Sequence, residues 1–175
     1  KEMDQLIDVI VAGRRGKAII SVGEIGMDAD RTHFCAMPVQ QKWFEAQLTQ
    51  LVPVAKLPMF LHSRSCKDSF LEILTRNRTH WQSFGGVVNS FTGTADEMSQ
   101  EVALGLFIGI NGCSLKTKEN LEVIKLIPVD RILLETDCPW CDVRPSHASW
   151  QYVGNASSKL AAWPECRVEK FRPGC

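Results

Sequence analysis

The chain alternates short apolar segments with amphipathic helical ones, and this alternation limits its possible folds more than any other feature. Five segments are strand candidates because they are short, apolar and bounded by turn residues. Their apolar runs are continuous, which predicts burial on both faces of a parallel sheet. The predicted strands are 18–25, 58–62, 86–91, 106–111 and 131–135, and the predicted helices are 1–12, 39–55, 65–76, 94–105 and 118–127.

Two of the predicted helices begin with a capping pattern. Thr94-Ala-Asp-Glu97 has the spacing of a capping box, in which the hydroxyl and the carboxylate satisfy each other's backbone amides. Ser65-Cys-Lys-Asp68 is a variant of the same pattern. Gly105 is positioned to end the helix that begins at Thr94.

Each strand candidate leads into a polar residue where the strand meets its loop. These residues are Glu24, His62, Asn89, Asn111 and Asp137. In an α/β barrel the functional side chains lie at this end of the strands. Carboxylate oxygens and an imidazole nitrogen suit a divalent cation such as Zn²⁺, Mn²⁺ or Mg²⁺. Each residue alone has a plain structural alternative: a salt bridge for Glu24, a hydrogen-bonded histidine for His62, and a turn cap for Asp137.

Composition points to an ordinary globular protein. The 175 residues are 45% hydrophobic and 23% charged, and the formal net charge is zero, so overall charge neither supports nor excludes nucleic-acid binding. Seven cysteines at irregular spacing and no signal peptide at Lys1-Glu2-Met3-Asp4 predict an intracellular protein, nuclear or cytoplasmic, with reduced thiols. No apolar run approaches the roughly 20 residues that span a bilayer, so we expect no membrane association.

Four motifs resemble the TatD family of metal-dependent hydrolases, usually described as deoxyribonucleases, and are closest to its animal branch. They are Glu24-Ile-Gly-Met-Asp28, Pro58-Met-Phe-Leu-His-Ser-Arg64, Gly86-Val-Val-Asn-Ser-Phe91 and Glu135-Thr-Asp-Cys-Pro-Trp140. The segment Gly109-Ile-Asn-Gly-Cys-Ser-Leu-Lys-Thr117 is similar to that branch as well. The motifs occur in the family's order over residues 18–150, and residues 151–175 match only loosely.

The resemblance implies a TIM-type (β/α)₈ barrel of the metal-dependent hydrolase (amidohydrolase-like) superfamily. The five strands would be a partial barrel, about strands 4 to 8, in a single domain over residues 1–175. The N-terminal strands and the C-terminal helices would be missing.

The resemblance also implies the site. One or two divalent metal ions (Mg, Mn or Zn) would be held by Glu24, His62, position 89 and Asp137. Glu24 would bridge two metals, and Asp137 would orient or deprotonate the attacking water. The substrate would be DNA, and no obligate protein partner is evident.

Asn89 departs from the family, which has histidine at that position. An amide oxygen can bind a hard cation such as Mg²⁺ but replaces imidazole poorly on Zn²⁺. The residue is compatible with a lineage change, an allelic or engineered substitution, or a degenerate copy with reduced activity.

Two further residues are candidate substrate contacts. Arg64 has the planar fork that fits phosphate oxygens, with a salt bridge to a neighbouring loop as the alternative. Trp140 could stack on a base, with anchoring of its loop as the alternative.

The remaining motifs are weaker. Cys138-Pro-Trp-Cys141 has the spacing of a redox motif but follows a strand and opens no convincing helix, so we interpret it as incidental. His33 is expected to be a solvated loop residue, and His147 to lie near the site.

The leading hypothesis is therefore a metal-dependent deoxyribonuclease that uses metal-activated water. The alternatives are a hydrolase of another ester or amide, since fold does not fix substrate, and a truncated or degenerate protein without catalysis. A thiol redox protein is a further alternative.

Overall fold

The computed structural model describes residues 1–157, and Cys166 and Cys175 therefore lie outside the described residues. Helices and strands alternate along the chain, as the sequence pattern predicts. The helices are α1 Glu2–Arg15, α2 Met37–Ala46, α3 Val52–Ala55, α4 Lys67–Arg76, α5 Arg78–Trp81, α6 Ala95–Ala103, α7 Lys118–Ile124 and α8 Trp150–Ser157. The strands are β1 Val22–Asp28, β2 Met59–Arg64, β3 Gly86–Val88, β4 Phe107–Ile110 and β5 Ile132–Leu134.

The described chain divides into two compact units. The first contains residues 1–89 and 99–107, and the second contains residues 90–98 and those from 108 onward. In the first unit β2 pairs in parallel with both β1 and β3. In the second unit β4 pairs in parallel with β5. The prediction of a single domain over 1–175 stays a prediction.

The core of the first unit lies between the strands and helices α2 to α5. Phe44 of α2 and Phe70 of α4 stack with their ring centroids 5.3 Å apart and nearly parallel. Trp81 is buried, and its indole nitrogen donates to the carbonyl of Leu74 at 2.9 Å. Buried aromatic side chains of this size supply much of the apolar area that stabilises a domain.

Helix α2 continues through a π turn at Gln47–Leu51 into α3. Pro53 in the first turn of α3 has no amide hydrogen to donate to the preceding turn, and this accounts for the wider turn before it. The prediction of one helical segment over 39–55 therefore holds, with a proline-induced irregularity in its middle.

The apolar strands are less evenly buried than the sequence predicts. Met59 and Leu61 of β2 and Ile108 of β4 are almost fully buried. In β5, by contrast, Leu133 is 44% exposed and Leu134 is 85% exposed. The expectation of burial on both faces is wrong for β5, since Leu134 is largely exposed and Leu133 is partly exposed in the described part of the chain.

Within residues 1–157, no helix combines the length and the apolar character needed to cross a membrane.

Candidate metal and active site

The register of β1 against β2 brings a histidine between two carboxylates. His62 of β2 lies opposite Gly26 of β1. Side chains alternate between the two faces of a strand, so Glu24 and Asp28, two residues on either side of Gly26, share its face. The burial pattern of β1 agrees, since Ile25 and Met27 are buried and Glu24 is exposed. The imidazole is thus flanked by both carboxylates.

Gly26 makes this close pairing possible. Its φ of +149° is a conformation that side-chain-bearing residues rarely adopt, and a Cβ at this position would come 1.9 Å from the carbonyl oxygen of His62. The glycine of the Glu24-Ile-Gly-Met-Asp28 motif is therefore required by the approach of the two backbones.

The distances define an ionic cluster. His62 Nδ1 lies 2.8 Å from Glu24 Oε1, and His62 Nε2 lies 3.6 Å from Asp28 Oδ2. The hydrogen bond to Glu24 raises the pKa of His62 above its ordinary value, although burial of the ring opposes the rise. The same bond, aided by Asn89, lowers the pKa of Glu24. The imidazole of His62 therefore lies between two carboxylates, and its closer contact is with Glu24.

Asn89 joins this cluster directly after β3. Its backbone nitrogen donates to the carbonyl of Leu61 at 2.8 Å. This bond places Asn89 beside His62 in the pairing of β3 with β2. Its Nδ2 donates to Glu24 Oε1 at 2.8 Å. Its Oδ1 is buried and accepts no hydrogen bond from the residues that the structure describes. A buried acceptor without a partner is costly, so this oxygen is free to accept a hydrogen bond or to contact a cation.

The three residues Glu24, His62 and Asn89 fit a divalent cation by the chemistry of their donor atoms. A carboxylate, an imidazole and an unsatisfied amide oxygen together offer the oxygen and nitrogen ligands that such cations use. Among the described residues, no group of three or more His, Cys, Asp and Glu side chains converges on one point. The two nitrogens of His62 face different carboxylates, and a three-ligand site here would include the amide oxygen of Asn89.

The cluster opens into a cleft of about 340 Å³ lined by Glu24, Asp28, Gln40 and His62, among others. Gln40 fixes the end of β1, because its Oε1 accepts from the backbone nitrogen of Asp28 at 2.8 Å and its Nε2 donates to the carbonyl of Asp28 at 3.0 Å. Strand β1, which carries Glu24 and Asp28, is therefore held along one edge by its pairing with β2 and at its end by Gln40.

Arg64 lies at the end of β2, on the same face of the strand as His62. Its Nε donates to Asp30 Oδ2 at 2.8 Å, and Asp30 belongs to the short 3₁₀ turn that follows β1. The arginine lowers the pKa of Asp30 chiefly through this hydrogen bond. The salt bridge that the sequence left open is thus present. Contact of Arg64 with phosphate stays a prediction.

Asp137 and Trp140 belong to the second unit. Asp137 adopts a left-handed backbone conformation with φ +53°, and its carbonyl accepts from the backbone nitrogen of Trp140 at 2.8 Å. Its Oδ2 accepts a hydrogen bond from the thiol of Cys141 at 3.3 Å. The side chain of Trp140 is 45% exposed. The predicted roles of Asp137 as ligand and base, and of Trp140 in stacking, stay predictions.

The cysteines that are in contact are not the two that the Cys-x-x-Cys spacing of the sequence would pair. The thiol of Cys113 contacts that of Cys141 at 2.9 Å, whereas Cys138 is exposed. Burial raises the pKa of the Cys141 thiol, and hydrogen bonds to Cys113 and Asp137 raise it further.

The two remaining histidines of interest differ in burial. His147 is buried in the second unit, and its Nδ1 has no hydrogen-bond partner among the described residues. His33 is exposed, with its ring centroid 4.1 Å from that of Phe34.

Sequence reasoning missed Asp28 and Gln40 as members of the site. For Asp28 a signal was available, because residues four apart on a strand point to the same face and Glu24 was already a candidate. Gln40 acts through contacts across 12 residues of sequence, and no local pattern indicates them.

The fold and this cluster can be compared with known proteins. A crystal structure described as an uncharacterized amidohydrolase from Saccharomyces cerevisiae matches with a TM-score of 0.78 and 34% identity, over 89% of this chain and 52% of that one. This match confirms the predicted class: part of an α/β barrel of the amidohydrolase-like hydrolases.

The family follows from sequence. The profile described as TatD related DNase matches residues 1–173, and the chain belongs to this family. Deoxyribonuclease Tat-D of Schizosaccharomyces pombe is 45% identical over 98% of this chain and 54% of its own length. The 3'-5' ssDNA/RNA exonuclease TatD of a Pantoea species is 40% identical over 74% of this chain and 49% of its own length. The chain thus spans about half the length of the curated relatives it matches.

Proposed function

We propose that this chain takes part in the metal-dependent hydrolysis of phosphodiester bonds in DNA, with Glu24, His62 and Asn89 as ligands of a divalent cation. The observation that carries the proposal is the buried Oδ1 of Asn89, which lacks a hydrogen-bond partner among the described residues and lies on a side chain bonded to Glu24. The relatives support the substrate class, since their names describe nucleases that act on DNA.

The residues of the first unit have separable roles in this proposal. A bound divalent cation would polarise a phosphoryl oxygen and lower the pKa of a coordinated water. Glu24 and Asp28 supply the negative charge that attracts the cation into the cleft, and Gln40 holds the Asp28 backbone in place. A ring nitrogen of His62 can bind a cation only when that nitrogen carries no proton, because a ligating imidazole is neutral.

Asp137 is proposed as the base that accepts a proton from the attacking water and as a further ligand. An ionised carboxylate can do both, and its family motif, Glu135-Thr-Asp-Cys-Pro-Trp140, supports the assignment. The left-handed backbone at Asp137 is a conformation that costs free energy outside glycine, and such residues cluster at functional sites.

The proposal is tested by a nuclease assay on the 175-residue chain. A single-stranded DNA oligonucleotide labelled at its 3' end is incubated with Mn²⁺, and with a chelator in a parallel reaction. We expect cleavage that the chelator abolishes and that Glu24→Gln and Asp137→Asn each reduce by at least about 100-fold, of the order that loss of a general base costs. Glu2→Gln, an exposed residue at the start of α1, serves as the matched control and should leave the rate unchanged. Equal rates for Glu24→Gln and Glu2→Gln would refute the proposal.

A second candidate is a member of the family that no longer binds metal. It is favoured by the hydrogen bond from Asn89 Nδ2 to Glu24, because this bond directs a donor at the carboxylate that is proposed here as a ligand. The two candidates are separated by thermal melting with and without Mn²⁺. A cooperative transition that Mn²⁺ moves upward supports the metal site, and a transition insensitive to Mn²⁺ supports the second candidate.

We further propose that the protein acts inside the cell, in the nucleus or the cytoplasm. The five described cysteines form no disulfide with one another, which fits a reducing compartment. The absence of an obligate protein partner stays a prediction.

A further inference from the structure

Cys113 and Cys141 lie in direct contact although 28 residues separate them in sequence. Cys113 follows β4, and Cys141 lies in the turn after Asp137, so both belong to the second unit. The thiol of Cys113 donates to the sulfur of Cys141 at 2.9 Å. The sulfur atoms in a disulfide are about 2.05 Å apart, so they need to approach by only about 1 Å to form a bond.

The backbone holds the Cys113 side of this contact in place. The amide of Cys113 donates to Asn111 Oδ1 at 2.9 Å, and the amide of Asn111 donates to Ser114 Oγ at 3.2 Å. Asn111 and Ser114 are both buried. The turn that carries Cys113 is therefore fixed by its own side chains.

Gly112 brings the two segments together. A Cβ at this position would lie 2.0 Å from the carbonyl oxygen of Cys141, so only glycine lets the turn after β4 come this close to the turn after Asp137. The contact between the two sulfurs follows from a close approach of two backbones, and rearrangement of a flexible side chain is not required to create it.

We propose that Cys113 and Cys141 form a site of reversible oxidation, at which hydrogen peroxide converts the two thiols into a disulfide. One thiol is first oxidised to a sulfenic acid while the peroxide is reduced and one water leaves. The second sulfur then attacks the sulfenic sulfur, the S–S bond forms, and the hydroxyl departs with the second thiol proton as another water. Two electrons pass from the thiols to the peroxide, and a dithiol reductant reverses the reaction.

Both side chains are partly exposed, so a small oxidant can reach them without unfolding of the chain. Oxidation also changes the surroundings of Asp137. The Cys141 thiol donates to Asp137 Oδ2 at 3.3 Å, and a disulfide sulfur has no proton to donate. The proposal rests on the geometry of the second unit and does not depend on the proposed nuclease activity.

The two cysteines of the proposed site are not the two cysteines of the Cys-x-x-Cys motif. Cys138 and Cys141 have the Cys-x-x-Cys spacing, yet the sulfur in contact with Cys141 is that of Cys113. Cys138 is exposed, and its backbone amide donates to Thr136 Oγ1 at 3.3 Å. A Cys113–Cys141 linkage and a Cys138–Cys141 linkage are therefore distinguishable outcomes.

The test is a peptide map of the whole 175-residue chain. The reduced protein is treated with hydrogen peroxide in mildly alkaline buffer, which increases the fraction of thiolate, because the thiolate is the reacting species. It is then alkylated, digested and analysed by mass spectrometry. We expect the loss of two hydrogen atoms, a cross-linked peptide pair containing Cys113 and Cys141, and full reversal by dithiothreitol.

Variants sharpen the assignment. Cys138→Ser should keep the cross-link, whereas Cys113→Ser and Cys141→Ser should each abolish it, and a thermal melt checks that each variant is folded. The map of the unmutated chain decides the matter even when a variant fails to fold. A dominant Cys138–Cys141 link, a dominant link to any other cysteine, or oxidation of Cys113 without a cross-link would overturn the proposal.

Discussion

Asn89 donates a hydrogen bond from its Nδ2 to Glu24 Oε1 at 2.8 Å. The same carboxylate oxygen lies 2.8 Å from Nδ1 of His62, so Glu24 is shared by an amide and an imidazole from two neighbouring strands. A proposed metal ligand and the asparagine at position 89 are therefore in direct contact. Position 89 can influence any cation that Glu24 binds.

Replacing Asn89 by histidine tests this position. Asn89→His exchanges a neutral amide for an imidazole nitrogen, which binds Mn²⁺ and Zn²⁺ better. We expect about tenfold tighter binding of Mn²⁺, equivalent to about 1.4 kcal/mol, and a faster nuclease reaction. Isothermal titration calorimetry measures the affinity. Asn120→His is the matched control, because Asn120 lies in the exposed capping box of α7, far along the sequence in the second unit. Unchanged affinity for Asn89→His would show that position 89 is not a ligand.

Gly26→Ala should destabilise the first unit. The added methyl group would lie 1.9 Å from the carbonyl oxygen of His62, and a backbone atom cannot move aside as a flexible side chain can. We expect a loss of at least about 2 kcal/mol in the free energy of unfolding, measured by urea denaturation.

Gly16→Ala is the matched control for this change. Gly16 ends α1 with φ −76°, and a Cβ there would make an ordinary 3.5 Å contact with the carbonyl of Ala12. This variant should differ from the unmutated protein by no more than about 0.5 kcal/mol. Equal effects of the two substitutions would mean that β1 and β2 do not approach as closely as described.

The ion pair between α2 and α4 predicts a dependence of stability on pH. Glu45 accepts from Nε and Nη2 of Arg76, each at 2.8 Å, and this lowers the pKa of Glu45 below its ordinary value. A carboxyl group with a lowered pKa in the folded state stabilises the protein above its unfolded pKa, and this stabilisation disappears as the pH falls through the folded pKa.

Glu45→Gln should therefore lower the melting temperature at pH 7 and have a smaller effect at about pH 3, because the stabilisation decreases as the pH falls below the ordinary pKa of glutamate towards the lowered folded pKa. Because both side chains are well exposed, we expect a loss of no more than about 1 kcal/mol at pH 7. Glu122→Gln removes a single contact with Lys125 on the exposed surface of α7 and should have a smaller effect. A Glu45→Gln effect that is as large at pH 3 as at pH 7 would contradict the ionic origin.

Asp30→Asn tests the proposed phosphate contact of Arg64. The Asp30 carboxylate pairs with Arg64 at 2.8 Å and competes with any phosphate for its guanidinium. Weakening this competitor should lower the KM for DNA several-fold, whereas Arg64→Ala should raise KM with little change in kcat. Steady-state kinetics measures both. If Arg64→Ala leaves KM unchanged, the arginine is part of a salt bridge and has no role in substrate binding.

Local features of the fold were predictable because they depend on neighbouring residues. The capping box at Thr94 is present, with the Thr94 amide 3.3 Å from Glu97 Oε2 and the Glu97 amide 3.2 Å from Thr94 Oγ1. The capping box predicted at Ser65 is wrong. Ser65 adopts φ +53°, which is not the extended conformation of an N-cap residue, and Cys66 occupies the cap.

Features that depend on strand pairing were not predictable from local pattern. The first strand was expected at 18–25, but pairing with β2 places it at Val22–Asp28. Ile20 was counted in that strand and is 83% exposed. The contact between Cys113 and Cys141 likewise depends on two turns that are distant in sequence. The Cys-x-x-Cys spacing would have paired Cys141 with Cys138.

In the candidate site, too, the residue types were predictable from local sequence and their arrangement was not. The motifs identified Glu24, His62 and Asn89, and the structure brings these three into one hydrogen-bonded cluster. The position of His62 between Glu24 and Asp28 depends on the β1–β2 register, which no motif encodes.

The proposed metal site is tested by the binding of Mn²⁺ to the 175-residue chain. Isothermal titration calorimetry measures this binding for the unmutated protein, His62→Ala and His33→Ala. His33 is an exposed loop histidine next to Phe34 and serves as the control. We expect saturable binding that His62→Ala weakens by at least about tenfold, or about 1.4 kcal/mol, and that His33→Ala leaves unchanged. Equal affinities for the unmutated protein and His62→Ala, or no binding to the unmutated protein, would contradict it.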